Sequence, residues 1–146
     1  MINSFTGAYA FLSNYYDPCP MTFEGRLYRN SEAAYQAQKC ADESKKDLFA
    51  ELDPDEAKNL GKRVWIMDDW DDRKADIMRK IVRAKFEQHP ELATRLVETG
   101  DEELIEGNTW HDNFFGDCQC AECRGIPGGN WLGIILMDER EYRRRA

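Results

Sequence analysis

From Asn30 onwards the apolar positions of the chain recur at helical intervals, and the interruptions fall where helix caps belong. Small and apolar residues at 33, 37 and 40 mark one face of a helix running through Glu32-Ala33-Ala34-Tyr35-Gln36-Ala37-Gln38-Lys39, with Asn30 or Ser31 as its cap. Ser44 opens a further turn or two that ends near Leu52. Asp53-Pro54-Asp55-Glu56 then combines an N-cap, a proline at the first helical position and a capping-box glutamate, and Gly61 closes the short helix that results. Ile77, Met78, Ile81, Val82 and Phe86 form a single stripe on a helix from Asp71 to Gln88. His89-Pro90 breaks that helix and starts another, carried by Leu92, Leu96 and Val97 to Gly100. Asn130 caps a last helix through Ile134, Ile135 and Met137, and Arg143-Arg144-Arg145 suits a solvated helix end.

Strand signals are few. Thr22-Phe23 and Arg26-Leu27-Tyr28 flank Glu24-Gly25, the pattern of a two-residue hairpin. A brief extended piece at residues 103–107 precedes a glycine- and cysteine-rich loop of roughly twenty residues, a length that usually carries function. The reading is a mainly α fold, a single compact helical domain over residues 1–146 with a minor short β element near the N-terminus. No glycine-rich phosphate fingerprint follows a strand, which excludes the dinucleotide fold and the P-loop.

The 146 residues, 42% hydrophobic and 33% charged, suffice for one core without staples. The net charge of −8 argues against nonspecific binding to duplex DNA, although a few convergent cations still suit a phosphorylated small molecule. No apolar run approaches the ~18 residues of a membrane span, and the first residues lack a secretory pattern, so no membrane partner is expected and the expected location is cytoplasmic. Five cysteines, three of them in Cys118-Gln-Cys120-Ala-Glu-Cys123, argue against an oxidised secretory scaffold.

Three clusters could carry chemistry. Glu32, Gln36 and Lys39, at i, i+4 and i+7, align an acid, an amide and an amine on one helix face, although the same spacing describes a solvated face with a helical ion pair. Asn108-Thr109-Trp110-His111-Asp112-Asn113-Phe114-Phe115-Gly116 sets a carboxylate among rings able to sandwich a planar base or a sugar face; core plugs and a turn aspartate explain it equally. Gly128-Gly129-Asn130 delivers an amide and a helix N-terminus, which attract phosphate or carbonyl oxygen, or simply an N-cap. Zinc held by Cys118, Cys120 and Cys123, with His111 as fourth ligand, ranks below reduced thiols that line a loop, because one Cys-x-x-Cys knuckle is present where the usual signature has two. No cofactor is required. Neither histidine lies in a recognisable hydrolase motif.

Phe11-Leu12-Ser13-Asn14, the Glu32–Lys39 segment, Asp69-Trp70 with Ile77-Met78, Ala84-Lys85-Phe86, Leu96 to Thr99-Gly100, Leu104-Ile105-Glu106 to Trp110-His111-Asp112, and Asn130 to Leu136-Met137 occur in one order. In this the chain resembles the NADAR (NAD- and ADP-ribose-associated) family, the YbiA-like N-glycosidases, over nearly its whole length. The resemblance implies a helical domain that hydrolyses a bond from ribose C1′ to nitrogen, in phosphoribosylamino-pyrimidine intermediates of riboflavin synthesis or in ADP-ribose attached to guanine. It implies an ADP-ribose-type or phosphoribosyl small molecule, or ADP-ribosylated nucleic acid, as partner. Carried over residue by residue, Lys39 is the nucleophile, and Glu32 and Asp112 are acid/base groups or sugar-hydroxyl ligands. Trp70, Trp110 and Phe115 are walls, Gln36 lies along the polar row, and Asn14 and Asn130 hold ribose or phosphate. Phe115 stands where the family commonly has tryptophan, which keeps a stacking face and loses an N–H donor. A catalytically silent ADP-ribose or NAD sensor is the alternative reading.

Overall fold

Glu24 and Gly25 both take left-handed backbone, with φ of 48° and 82°, in the computed structural model of the protein, which describes residues 1–146. That geometry closes the expected hairpin. Strand β1 (Met21–Phe23) pairs antiparallel with β2 (Arg26–Tyr28), Phe23 opposite Arg26. The remaining elements are α1 (Ser31–Ala37), α2 (Pro54–Gly61), α3 (Trp70–Gln88), α4 (Pro90–Glu98), β3 (Gly107–Asn108), β4 (Asp117–Cys118) and α5 (Trp131–Arg145). Two 3₁₀ segments, Gly7–Leu12 and Glu43–Phe49, complete a mainly helical chain. No helix is long and apolar enough to cross a membrane.

The contacts divide the chain into two compact units: Asn14–Gln88, and Met1–Ser13 with His89–Ala146. In the first, Asn30 caps α1 by accepting the Ala33 N–H at 2.8 Å, and the alanines at 33, 34 and 37 are fully buried. Such small side chains let α2 and α3 approach α1 closely. The capping box on α2 forms as its sequence dictates: Asp53 accepts from Glu56 N at 2.8 Å, and Glu56 reaches back to Asp53 N at 3.0 Å. The α3 stripe of Ile77, Met78, Ile81, Val82 and Phe86 is buried as its period requires.

Two helix boundaries differ from the sequence reading. Helix α1 stops at Ala37, two residues short of Lys39, because residues 39–41 are drawn into pairing with a distant segment. Met67 N donates to Lys39 O at 2.9 Å, Ala41 N donates to Trp65 O at 2.8 Å, and Cys40 bridges Ile66. In the 43–49 turn the cap is Asp42, which accepts from both N and Oγ of Ser44.

In the second unit, Ile2 lies in a parallel bridge with Leu104, and β3 pairs with β4 in parallel, Asn108 beside Cys118. Arg140, on α5, donates to Thr99 Oγ1 at 2.9 Å and to Glu102 O at 2.8 Å, which ties the loop after α4 to the last helix.

Candidate active site

The 14–88 unit gathers five of the anticipated residues. Glu32 and Gln36 lie one turn apart on α1, both buried, and Gln36 Nε2 donates to Glu32 Oε1 at 2.8 Å. Burying a carboxylate beside an amide costs less than burying it alone, since the hydrogen bond replaces part of the lost hydration. Gln36 Oε1 has no hydrogen-bond partner. It rests against Gly61 of α2, where a Cβ would lie 2.1 Å from it. Lys39, in the tight turn after α1, is half-buried, and its ammonium is pushed below the ordinary lysine value. Desolvation is the main cause. The negative charge of Glu32 opposes it, and the cations Lys74, Lys58 and Lys62 reinforce it.

Trp70 opens α3 and is 7% exposed, its ring tilted 54° to that of Tyr35 with centroids 5.3 Å apart. Asn14 clamps the start of α1: its Nδ2 donates to Met78 Sδ at 3.2 Å, and its Oδ1 accepts from Ser31 Oγ at 3.1 Å. Its backbone oxygen also accepts Glu32 N at 3.2 Å. Both ends of its amide are therefore occupied within the protein.

The other four anticipated residues belong to the second unit. Asp112 Oδ1 accepts the N–H groups of Phe114 and Phe115, both at 3.0 Å, as an aspartate does when it organises a turn. Trp110 is 55% exposed. Phe115 meets Phe114 edge-on with centroids 4.7 Å apart, and Phe114 in turn stacks on Trp131. Asn130 stands at the N-cap position of α5 without capping it: its backbone is left-handed, with φ of 51°, and its side chain makes no cap bond. Instead Oδ1 accepts Glu106 N and Nδ2 donates to Leu104 O, each at 2.9 Å, so one amide pairs with the 104–106 backbone as a strand would.

Residues 3–143 match the NADAR domain family. The chain belongs to the NADAR family. "N-glycosidase YbiA" of Escherichia coli (strain K12) is 34% identical over 131 residues, covering 84% of this chain and 74% of that protein. "N-glycosidase Npun_R5314" of Nostoc punctiforme is 35% identical over 141 residues, covering 91% and 85%. "Riboflavin biosynthesis protein VVA0006" of Vibrio vulnificus (strain YJ016) is 42% identical over 137 residues; these make up 91% of this chain and 35% of that longer protein. The NMR structure of the E. coli YbiA protein superposes with a TM-score of 0.80 at 30% identity, covering 99% of this chain and 88% of that one. The NADAR domain described here is thus of the N-glycosyl hydrolase class.

Two residues of this NADAR domain escape a reading of the sequence. Tyr15 has its phenol held well above its ordinary value, first by burial and then by the charges of Glu32 and Asp55, with a hydrogen bond to Asp55 adding to the effect. The phenol therefore stays protonated, its O–H engaged by Asp55 and Glu32 within electrostatic reach. Its position next to Asn14 is the only signal the sequence offers. Gly61 reads as a helix terminator, and nothing in its surroundings announces that it makes room for Gln36.

Proposed function

We propose that this NADAR domain hydrolyses the bond between ribose C1′ and a base nitrogen, with ADP-ribosylated guanine or a phosphoribosylamino-pyrimidine of riboflavin synthesis as substrate and Lys39 as nucleophile. The observation that carries the reading is the half-buried, partly desolvated amine of Lys39 in the turn after α1, within electrostatic reach of Glu32. A lysine attacks carbon only as the neutral amine, and burial together with neighbouring cations enlarges that fraction near neutral pH. The N-glycosidase relatives support the bond type, and the name of the Vibrio relative supports the riboflavin-related class.

In the proposed sequence, Lys39 Nζ attacks C1′ as the C1′–N bond breaks, and the departing nitrogen takes a proton from a carboxylic acid. The attached amine gives up one proton, and the ring oxygen takes one as the furanose opens, leaving a protonated imine. Water adds at C1′, the amine departs, and the sugar is released at the aldehyde level, with one water consumed overall. A carboxylate also stabilises the positive charge that builds on the sugar while the bond breaks. Glu32 is assigned to this work, and the family resemblance gives Asp112 an acid/base or sugar-hydroxyl role and Trp110, Phe115 and Trp70 stacking roles.

The test is incubation with both substrate classes and mass spectrometry for released base, followed by borohydride reduction to trap the imine as a stable adduct on Lys39. The Lys39→Ala variant is expected to lose turnover and adduct while its circular dichroism is unchanged. Base release at the wild-type rate in that variant refutes the lysine route. Saturable binding of ADP-ribose by the wild type with no base released refutes hydrolysis and leaves the sensor.

A further inference from the structure

Between β3 and α5 the chain runs for more than twenty residues with almost no core of its own. Of residues 109–129 only Gly116 and Cys118 are buried. A segment of this length holds one conformation only if something other than apolar burial fixes it. Four potential metal ligands converge in it: the donor atoms of His111, Cys118, Cys120 and Cys123 all lie within 4.8 Å of one another.

Three local devices deliver the four ligands. Buried Asn108 folds the turn that carries His111, its Oδ1 accepting Trp110 N at 3.2 Å and Asp112 N at 3.1 Å while its Nδ2 donates to Asp112 O at 2.8 Å. His111 itself is left-handed, with φ of 67°, a conformation uncommon for a residue with a side chain. Cys118 is fixed by β4, and its N–H donates to Asn113 Oδ1 at 2.9 Å. Cys120 and Cys123 flank a tight turn in which Cys120 O accepts the N–H groups of Cys123 and Arg124. The result places His111 Nδ1 3.4 Å from Sγ of both Cys120 and Cys123. In a tetrahedral zinc site, with Zn–S near 2.3 Å and Zn–N near 2.0 Å, the sulfur–nitrogen edge is about 3.5 Å.

We propose that His111 Nδ1 and the thiolates of Cys118, Cys120 and Cys123 bind one Zn²⁺ in a closed structural site that takes the place of a hydrophobic core for this loop. Three soft sulfurs and one imidazole select zinc over the hard, oxygen-seeking cations. Four protein ligands leave no open position, so the metal holds shape and performs no chemistry. Because His111 sits between Trp110 and Asp112, the ion would also fix the turn that presents both. Zinc binding here does not require that the chain carry out the reaction proposed above.

The experiment is metal analysis of the full, untagged chain, purified under reducing conditions from zinc-supplemented cells, together with Co²⁺ titration of the reduced, metal-stripped protein. About one zinc per chain is expected after gel filtration, and the titration is expected to give thiolate-to-cobalt charge transfer with the strong visible bands of tetrahedral Co²⁺. Cys120→Ser and Cys123→Ser should each reduce retained zinc to below about a tenth of the wild-type content. His111→Cys should retain it, with a stronger charge-transfer band from the added thiolate. Zinc far below one per chain, with no tetrahedral cobalt spectrum from the wild type, overturns the proposal. So does a Cys120–Cys123 disulfide in the protein as isolated. The wild-type titration decides the matter even if a variant fails to fold.

Discussion

Adding one methyl group at Gly61 tests whether the packing of α2 on α1 sets the geometry of the Glu32–Gln36 pair. In Gly61→Ala the new Cβ would lie 2.1 Å from Gln36 Oε1 and 3.0 Å from its Cδ. A flexible side chain would ordinarily swing aside at little cost. Gln36 is 5% exposed and its other amide atom holds Glu32, so yielding means breaking that bond or moving a helix. Overpacking costs about 1–3 kcal/mol, and the lost bond to a carboxylate adds about 1.5–3 kcal/mol when it breaks outright. Alanine's better helix propensity returns at most about 1 kcal/mol, less at a helix end. The net expectation is a loss of about 2–3 kcal/mol, or about 5–10 °C in Tm for a chain of this size. The assay is a double-mutant cycle by urea denaturation with Gln36→Ala. Once the amide is truncated the methyl has room, so Gly61→Ala should become neutral or slightly stabilising, with a coupling of about 2 kcal/mol. Additivity within about 0.5 kcal/mol, or a single mutant as stable as the wild type, refutes the steric account.

Asn130→Ala removes two hydrogen bonds to the 104–106 backbone, leaves those groups unpaired and puts alanine in a left-handed conformation; a cost of about 2–4 kcal/mol is expected by denaturant titration. Asp53→Ala removes the acceptor for Glu56 N, leaves the Glu56 carboxylate its bond from the backbone N–H of residue 53, and should cost about 1 kcal/mol. The rate of imine formation should rise with pH through the lowered Lys39 value, since only the neutral amine attacks. Because Glu32 holds that value up, Glu32→Gln should move the midpoint to lower pH, read from the pH profile of borohydride trapping whatever the absolute rate. The same shift links to stability: between the lowered folded value and the ordinary one near 10.5 the unfolded chain binds the extra proton, so this group's contribution grows as pH rises through that window.

Features that arise from a few adjacent residues were legible in the sequence. The capping box at Asp53-Glu56, the hairpin turn at Glu24-Gly25 and the α3 stripe each follow from local chemistry, and each formed as its residues require. Features decided by distant partners were hidden. Nothing in Gln38-Lys39 ends a helix; α1 ends there because the 65–67 segment pairs with residues 39–41. Asn130 before an apolar run reads as a cap, and the competing partner, the backbone of 104–106, lies far away in the chain. Asp112 reads as a carboxylate among rings, and the structure shows one of its oxygens holding a turn. The convergence of His111 with the three thiols was hidden for a related reason. The sequence shows one Cys-x-x-Cys knuckle, while His111 and Cys118 are brought beside it by the Asn108 turn and by β4.

The crowding around Leu104 has an implication for recognising remote kin of this protein. A Cβ at Gly133 would stand 2.1 Å from Leu104 O, 2.4 Å from Asn130 Nδ2 and 2.5 Å from Asn130 Oδ1. The amide at 130 and the bare α-carbon at 133 are therefore a single solution to a single spatial problem, whatever substrate the enzyme takes. A homologue that has traded its lysine or its acids for new chemistry would still need Asn-x-x-Gly at the mouth of its last helix. That spacing is a fingerprint of ancestry, where the reactive side chains are a fingerprint of trade.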